Sequence, residues 1–162
     1  DFEASFASVE EIERLNIVGA TKLAMARAVS AVNARGCLNL APSCAPATLF
    51  GEGDADISRA DVLIDGIPLK NFPYRHLAVV KGDAQSLAIA AASIVAKVVR
   101  DDFMDELALK YPRYGFEIHK GYGTPAHRQN ILIYGACAAH RPSYLKKLRA
   151  NTKNIPQQIS LF

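Results

Sequence analysis

The chain has 162 residues, of which 50% are hydrophobic and 22% charged, with a formal net charge of +3. That balance excludes a disordered or fibrous chain and fits one soluble globular domain with a sizeable core. The small excess of positive charge permits a polyanionic partner only where basic groups cluster locally.

The first stretch, "DFEASFASVEE", has neither a basic leader nor an apolar run, and no run of about eighteen apolar residues occurs later. No signal peptide and no membrane span are expected. The first residue is Asp1 rather than Met, so the chain is expected to begin inside a longer protein or to be processed. Ser8 with Glu11 three positions on forms a capping-box pattern, opening a short helix that carries Ile12 and Leu15. Asn16 is placed to cap a second helix from Ile17 to about Ala34, with Leu23, Met25, Val29 and Val32 as core positions and Gly36 as the stop. The cysteines, Cys37, Cys44 and Cys137, are odd in number and lack paired zinc spacing. Free thiols in a reducing compartment, the cytoplasm, are expected.

Three glycines and two prolines between Gly36 and Ala60 break any sustained period, which predicts a surface loop. Two short apolar runs follow, "DVLID" and "LAVVKG", both suited to buried strands. The Ala-rich stretch from Asp83 to Pro112 predicts one long helix or two stacked ones, with Ala90, Ala91, Ala92 and Ser93 allowing close helix-sheet packing. A Gly-rich loop, "HKGYGT", leads to a helix with Thr124 as N-cap, Pro125 at its first position and Gly135 after its end. The chain finishes with a basic segment, a break at Pro156 and an apolar-tipped tail.

Asp65 and Asp83 each close a predicted strand. A strand ending on Asp65-Gly66 fits ordinary turn chemistry, in which the carboxylate bonds its own backbone. If the two strands are neighbours, however, both carboxylates emerge at one sheet edge, where oxygen ligands can hold a hard divalent cation with several waters retained. Asp83 also suits the N-cap of the Ala-rich helix, and the two roles are compatible. Other carboxylates are poorer ligands: Glu10-Glu11, Asp101-Asp102 and Asp105-Glu106 are adjacent pairs on predicted helices, where neighbours diverge. Solvated faces are expected for them, with Asp101 and Arg100 as a candidate buried ion pair.

The segments "VLIDG", "VVKGD", "SLAIAAASIVAKVVRD", "YPRYGFEIHKGYGTPAH" and "YGACAAHRPSY" occur in the order and spacing of the bacterial type 2 ribonucleases H, the ribonuclease HII family. The resemblance is dense from about Asp61 to Tyr144, and the helix pair beginning at "SVEEIERLNI" extends it back to Ser8. It implies an α/β, ribonuclease-H-like fold, N-terminally incomplete, with a helical C-terminal part. Residues 1–150 would form the partial catalytic domain, with a loop insertion at 36–60, and residues 151–162 a flexible tail.

The implied activity is endonucleolytic hydrolysis of RNA in RNA/DNA hybrids and nicking of duplex DNA 5′ of an embedded ribonucleotide, as in ribonucleotide excision repair. Such enzymes are similar in using four carboxylates to hold Mg²⁺ or Mn²⁺, one metal activating water and the other stabilising the leaving 3′ oxygen. Asp65 and Asp83 match the third and fourth of these carboxylates. Tyr122 matches a tyrosine that packs on the deoxyribose beyond the ribonucleotide, with Lys120, Gly121, Gly123 and Arg141 as further nucleic-acid contacts. His119, His127 and His140 are assigned to phosphate contact or structure, with solvated positions expected. The family's opening Asp-Glu-x-Gly-Arg-Gly segment is absent from these 162 residues, so this chain alone is expected to be inactive or nearly so, and a lost central strand would leave an apolar edge. The tail "QISLF", through Gln158, Leu161 and Phe162, resembles the pentapeptide that docks bacterial repair proteins on the sliding clamp. A monomer without membrane contact is expected. The alternative reading is a noncatalytic nucleic-acid or sliding-clamp-binding remnant.

Overall fold

The computed structural model describes residues 1–36 and 62–152. The expected loop insertion at 36–60, apart from Gly36, lies outside them, as do Cys37, Cys44, Asp61 and the clamp-type residues Gln158, Leu161 and Phe162. Helix α1 spans Val9–Ala34, strands β1 and β2 span Val62–Asp65 and His76–Val79, and helices α2 to α5 span Leu87–Lys110, Phe116–His119, Pro125–Tyr134 and Pro142–Thr152. The mixture is α/β and mostly helical.

The chain forms two compact units. One comprises Asp1–Ala7 with Val18–Val99, the other Ser8–Ile17 with Arg100–Phe162, so each long helix contributes a segment to both.

In the first unit, β1 and β2 pair in parallel, with Val62 opposite His76 and Asp65 opposite Val79. Their core is small: Ile64, Phe72 and Tyr74 are buried and pack with Met25, Ala26 and Val29 of α1 and with Val62 and Leu69. Phe72 meets Tyr74 edge-on at a centroid distance of 5.9 Å. Both strands were expected to be buried, but only Ile64 is, while β2 is half-buried throughout. The physical reason is the layer count. Among the described residues the sheet has two strands, too few to bury both faces of either.

Helix α1 consists of two helices meeting at Asn16, whose φ of 59° is non-helical, where the sequence placed the second cap. By length, and by a mean hydropathy of 1.2, α1 would pass as a membrane-crossing helix. The helix is broken at Asn16, and Met25, Ala26 and Val29 pack on the cluster of Ile64, Phe72 and Tyr74, while Ile17 and Val18 are exposed. Gly36, at φ +76°, donates its N–H to the Asn33 carbonyl at 3.0 Å and stops the helix.

Two boundaries differ from expectation. The second strand ends at Val79, because Lys81 adopts a left-handed conformation (φ 53°) and Gly82–Ala84 form a 3-10 turn. The Ala-rich helix begins at Leu87, so Asp83 is not its N-cap; its carboxylate accepts instead from the Ala84 N–H at 3.0 Å. The small-residue face expected to lie under packing is open as well: Ala91, Ala92 and Ser93 are exposed, and so are Leu87, Ile94 and Val98.

The second unit has a larger, aromatic core of Ala108, Tyr114, Phe116, Ile131 and Leu148, against which Met104, Leu107, Tyr111, Cys137, Ala139, Tyr144 and Leu145 pack. The Tyr114 and Phe116 rings stack at 5.7 Å, and the Tyr114 hydroxyl donates to the Gly135 carbonyl at 3.0 Å. Burial pushes the Tyr114 phenol pKa up. The capping box is complete: Glu11 N–H donates to Ser8 Oγ at 3.2 Å and Ser8 N–H to Glu11 Oε2 at 2.9 Å. Thr124 caps α4 by accepting from the His127 N–H at 3.3 Å, with Pro125 at the first helical position.

Candidate functional site

The parallel register carries Asp65 and Asp83 to one end of the strand pair. Asp65 is the last residue of β1, level with Val79 at the end of β2, and Asp83 follows in the 3-10 turn beyond. The link between them runs through the backbone of Gly82. The Gly82 N–H donates to Asp65 Oδ1 at 2.8 Å, tying the β1 carboxylate to the residue before Asp83. Asp65 therefore does not close a turn on its own backbone; the adjacent Gly66 N–H donates to the Val79 carbonyl at 2.9 Å.

Gly82 makes this approach feasible. A Cβ there would lie 2.6 Å from Ile89 Cδ1, 3.3 Å from Val79 Cβ and 3.4 Å from Asp65 Oδ1. The nearest of these is the end of a flexible side chain, while the two strand-side atoms would have to give by a few tenths of an ångström, so a side chain here crowds the Asp65 carboxylate. Gly82 is thus a positioning residue that sequence reading passed over, although the Gly in "VVKGD" was its available signal.

Both carboxylates are exposed, and Asp65 keeps Oδ2 for a further ligand. As a donor set, two exposed carboxylates at one edge fit a single hard cation that retains most of its water. Among the described residues, no group of three or more His, Cys, Asp or Glu is arranged to hold a metal, so a two-metal arrangement needs carboxylates from elsewhere.

In the second unit, the loop from Lys120 to Thr124 presents Tyr122, which is 65% exposed. Arg100 supports it, with its guanidinium 4.9 Å over the ring and a hydrogen bond to the Lys120 carbonyl at 2.8 Å. One face of the ring is thus backed by a cation, an arrangement that stiffens an aromatic platform. Arg100 was expected to be a buried partner of Asp101; it sits 3.8 Å from that carboxylate and both side chains are partly exposed. The reach of Arg100 back to Lys120 explains the weak pairing.

Lys120 pairs with Asp105 and also reaches the Asp101 carbonyl at 3.4 Å. Asp105 is therefore an ion-pair partner and not merely part of a solvated face. Gly121, at φ +77°, lies where a Cβ would come within 3.3 Å of the Met104 sulfur, and at Gly123 a Cβ would strike the Tyr144 hydroxyl. Both glycines serve close packing beneath Tyr122. Arg141 lies just before α5, where its carbonyl accepts from the Tyr144 N–H at 3.1 Å.

The histidines differ most from expectation. His119, His127 and His140 are 8%, 4% and 8% exposed rather than solvated. His127 and His119 stack at 4.0 Å, and His127 Nε2 lies 3.1 Å from His140 Nε2. They fill the aromatic core around Phe116, whose ring meets all three at 5.5 to 5.7 Å. Burial, then the neighbouring imidazoles, holds His127 and His140 below the usual imidazole pKa.

Comparison with known proteins supplies the remaining evidence. The family model for ribonuclease HII matches residues 56–147. The chain is 43% identical over 145 residues to a ribonuclease HII of Paracoccus denitrificans, covering 89% of this chain and 58% of the relative. It is 46% identical over 138 residues to one of Albidiferax ferrireducens, covering 85% and 56% respectively. To one of Fusobacterium nucleatum it is 41% identical over 150 residues, covering 91% and 61%. The chain thus spans little more than half the length of these curated relatives.

Proposed function

Because the chain belongs to the ribonuclease HII family, we propose that it supplies part of a metal-dependent endonuclease that hydrolyses RNA in RNA/DNA hybrids and nicks duplex DNA 5′ of an embedded ribonucleotide. The observation that carries the reading is the shared edge of Asp65 and Asp83, joined through the Gly82 N–H at 2.8 Å. Mg²⁺ or Mn²⁺ held there would supply Lewis-acid stabilisation of charge on a phosphodiester. Asp65 and Asp83 would bind the cation, with Asp65 held in place through Oδ1 while Oδ2 remains for coordination. Tyr122, backed by Arg100, would pack on a sugar, and its loop would position the duplex with Lys120, Gly121, Gly123 and Arg141 as contacts. The cytoplasm is the proposed location, and the tail residues Gln158, Leu161 and Phe162 a proposed sliding-clamp contact.

For the 162 residues alone, binding without cleavage is the second reading. It is favoured by a two-carboxylate donor set among the described residues, which is thin for two-metal chemistry.

The test is metal-dependent cleavage of a duplex carrying one ribonucleotide, run beside Mn²⁺-induced broadening of the Gly66, Gly82 and Asp83 amide signals in the free chain. Broadening that disappears in Asp65→Asn supports the carboxylate assignment even where no cleavage occurs. Unchanged broadening in Asp65→Asn would refute it. Nicking by this chain, abolished by chelation, would establish catalysis; intact duplex beside a confirmed cation site would leave the binding reading.

A further inference from the structure

The hydrogen-bond partners around the buried histidines fix where each ring proton resides. The Cys137 N–H points at His140 Nδ1 from 3.0 Å, so that nitrogen accepts and the neutral ring carries its proton on Nε2. His127 Nε2, 3.1 Å away, must then accept, which places the His127 proton on Nδ1. That N–H donates to the Tyr122 carbonyl at 2.9 Å. His119 is fixed independently: the Gly121 N–H donates to its Nδ1 at 3.2 Å, and its Nε2–H donates to the Tyr114 carbonyl at 2.7 Å. Every link has one permitted direction. The chain of hydrogen bonds ends on the backbone of the residue with the most exposed aromatic ring in the loop.

We propose that His140 and His127 are positioning residues for Tyr122, a two-imidazole brace that holds its carbonyl in one proton arrangement and releases the loop when either ring takes up a second proton. The inference rests on reading Tyr122 as a nucleic-acid contact. A proton added at His127 Nε2 would face the His140 N–H across 3.1 Å, and one added at His140 Nδ1 would face the Cys137 N–H. Either event replaces an attraction with a donor-donor contact. Backbone hydrogen bonds at Tyr122 and Cys137 favour the charged rings, but burial outweighs them; around the pair, His119 stacks on His127, the Tyr114 ring lies 5.0 Å from His140, Phe116 meets both, and Cys137 Sγ lies 3.1 Å from His140 Nδ1. No carboxylate is among them, and the sequence neighbours Arg128 and Arg141 are basic. The lowered imidazole pKa values agree with this geometry.

The experiment records long-range proton-nitrogen ring spectra of the ¹⁵N-labelled chain from about pH 8 to about pH 5, alongside binding of a duplex carrying one ribonucleotide in the same buffers. The expected result above neutrality is His140 as the Nε2–H tautomer and His127 as the Nδ1–H tautomer. On acidification the Tyr122 and Gly123 amides should shift with the ring midpoints, and affinity should fall about tenfold, the equivalent of losing one well-made hydrogen bond. His127→Asn, which retains an N–H near the Nδ1 position but does not titrate, should flatten the pH profile and bind better than His127→Phe. The opposite tautomers, loop amides indifferent to ring titration, or a wild-type pH profile in His127→Asn would each overturn the brace. Correct tautomers and coupled amides in a chain that binds no duplex at any pH would support the brace and overturn the assignment of Tyr122 to nucleic acid.

Discussion

Gly123→Ala tests the packing beneath the Tyr122 loop. Gly123 does not have a left-handed φ, so alanine meets no backbone penalty there, and the outcome turns on space. A Cβ would run into Tyr144 Oη, while the next ring atoms, Cζ and Cε2, would lie 3.4 and 3.7 Å away, at ordinary contact. The obstacle is therefore the hydroxyl alone. That hydroxyl is buried and has no hydrogen-bond partner among the described residues. Overpacking of this kind costs about 1–3 kcal/mol. Tyr144→Phe removes both the clash and the unpaired polar group, whose burial costs roughly 1–3 kcal/mol. In the Tyr144→Phe background the alanine should then stabilise by about 0.4–1 kcal/mol, through the smaller conformational freedom of the unfolded chain. Urea unfolding of the four proteins, with equal m-values, gives a coupling of roughly 2 kcal/mol between the two sites. The same cost for Gly123→Ala in both backgrounds would refute the reasoning.

The remaining predictions follow from the same contacts. Burial lowers the folded pKa of His127 and His140 below the ordinary 6.5, so the unfolded state binds more protons at mildly acidic pH. Their contribution to stability is complete above about pH 6.5 and is lost as pH falls through the folded values; a urea midpoint that does not drop between about pH 7.5 and pH 5.5 would contradict this. Arg100→Ala removes the cation 4.9 Å from the Tyr122 ring and the bond to the Lys120 carbonyl; a loss of about 1–2 kcal/mol is expected, with Tyr122 ring resonances moving toward random-coil values. Wild-type resonances in that variant would show that the ring is held by other groups. Hydrogen exchange should be faster for the amides of β1 and β2 than for Ala108 and Ile131, because a two-stranded sheet over three buried residues is the weaker core. Equal protection would argue against two unequal cores.

Local signals located the elements well. Ser8 and Glu11 make the reciprocal cap they spell, Asn16 divides α1, and Thr124-Pro125 opens α4, because each of these depends on contacts within a turn. Burial was less legible, since it depends on what lies across from a residue. The apolar runs of β1 and β2 read as buried strands, yet a pair with no third strand among the described residues leaves Leu63 and Val80 exposed. The histidines failed in the opposite direction. Their polar neighbours in sequence suggested solvent, whereas Phe116, Tyr114 and Cys137 enclose them in space. Local spacing did not place α3 or α5, although the family resemblance implied a helical C-terminal part: the first is a single turn, and the second sits in a segment whose basic residues obscure the spacing of Leu145 and Leu148 on the core.

The Asp65-Gly66 strand end shows how a turn signature and a ligand position can be told apart. A turn aspartate satisfies its carboxylate within two residues of itself, as Asp83 does on Ala84. Asp65 instead accepts from Gly82, on the neighbouring strand's exit, where a Cβ would lie 3.4 Å from the same oxygen. One oxygen is committed to the fold, and the residue is exposed. The two functions of the side chain are therefore separable. Asparagine preserves the oxygen that holds Gly82 while removing the charge a cation requires; alanine removes both. A difference between these two variants in stability, with both losing the cation, is what the geometry at the end of β1 demands.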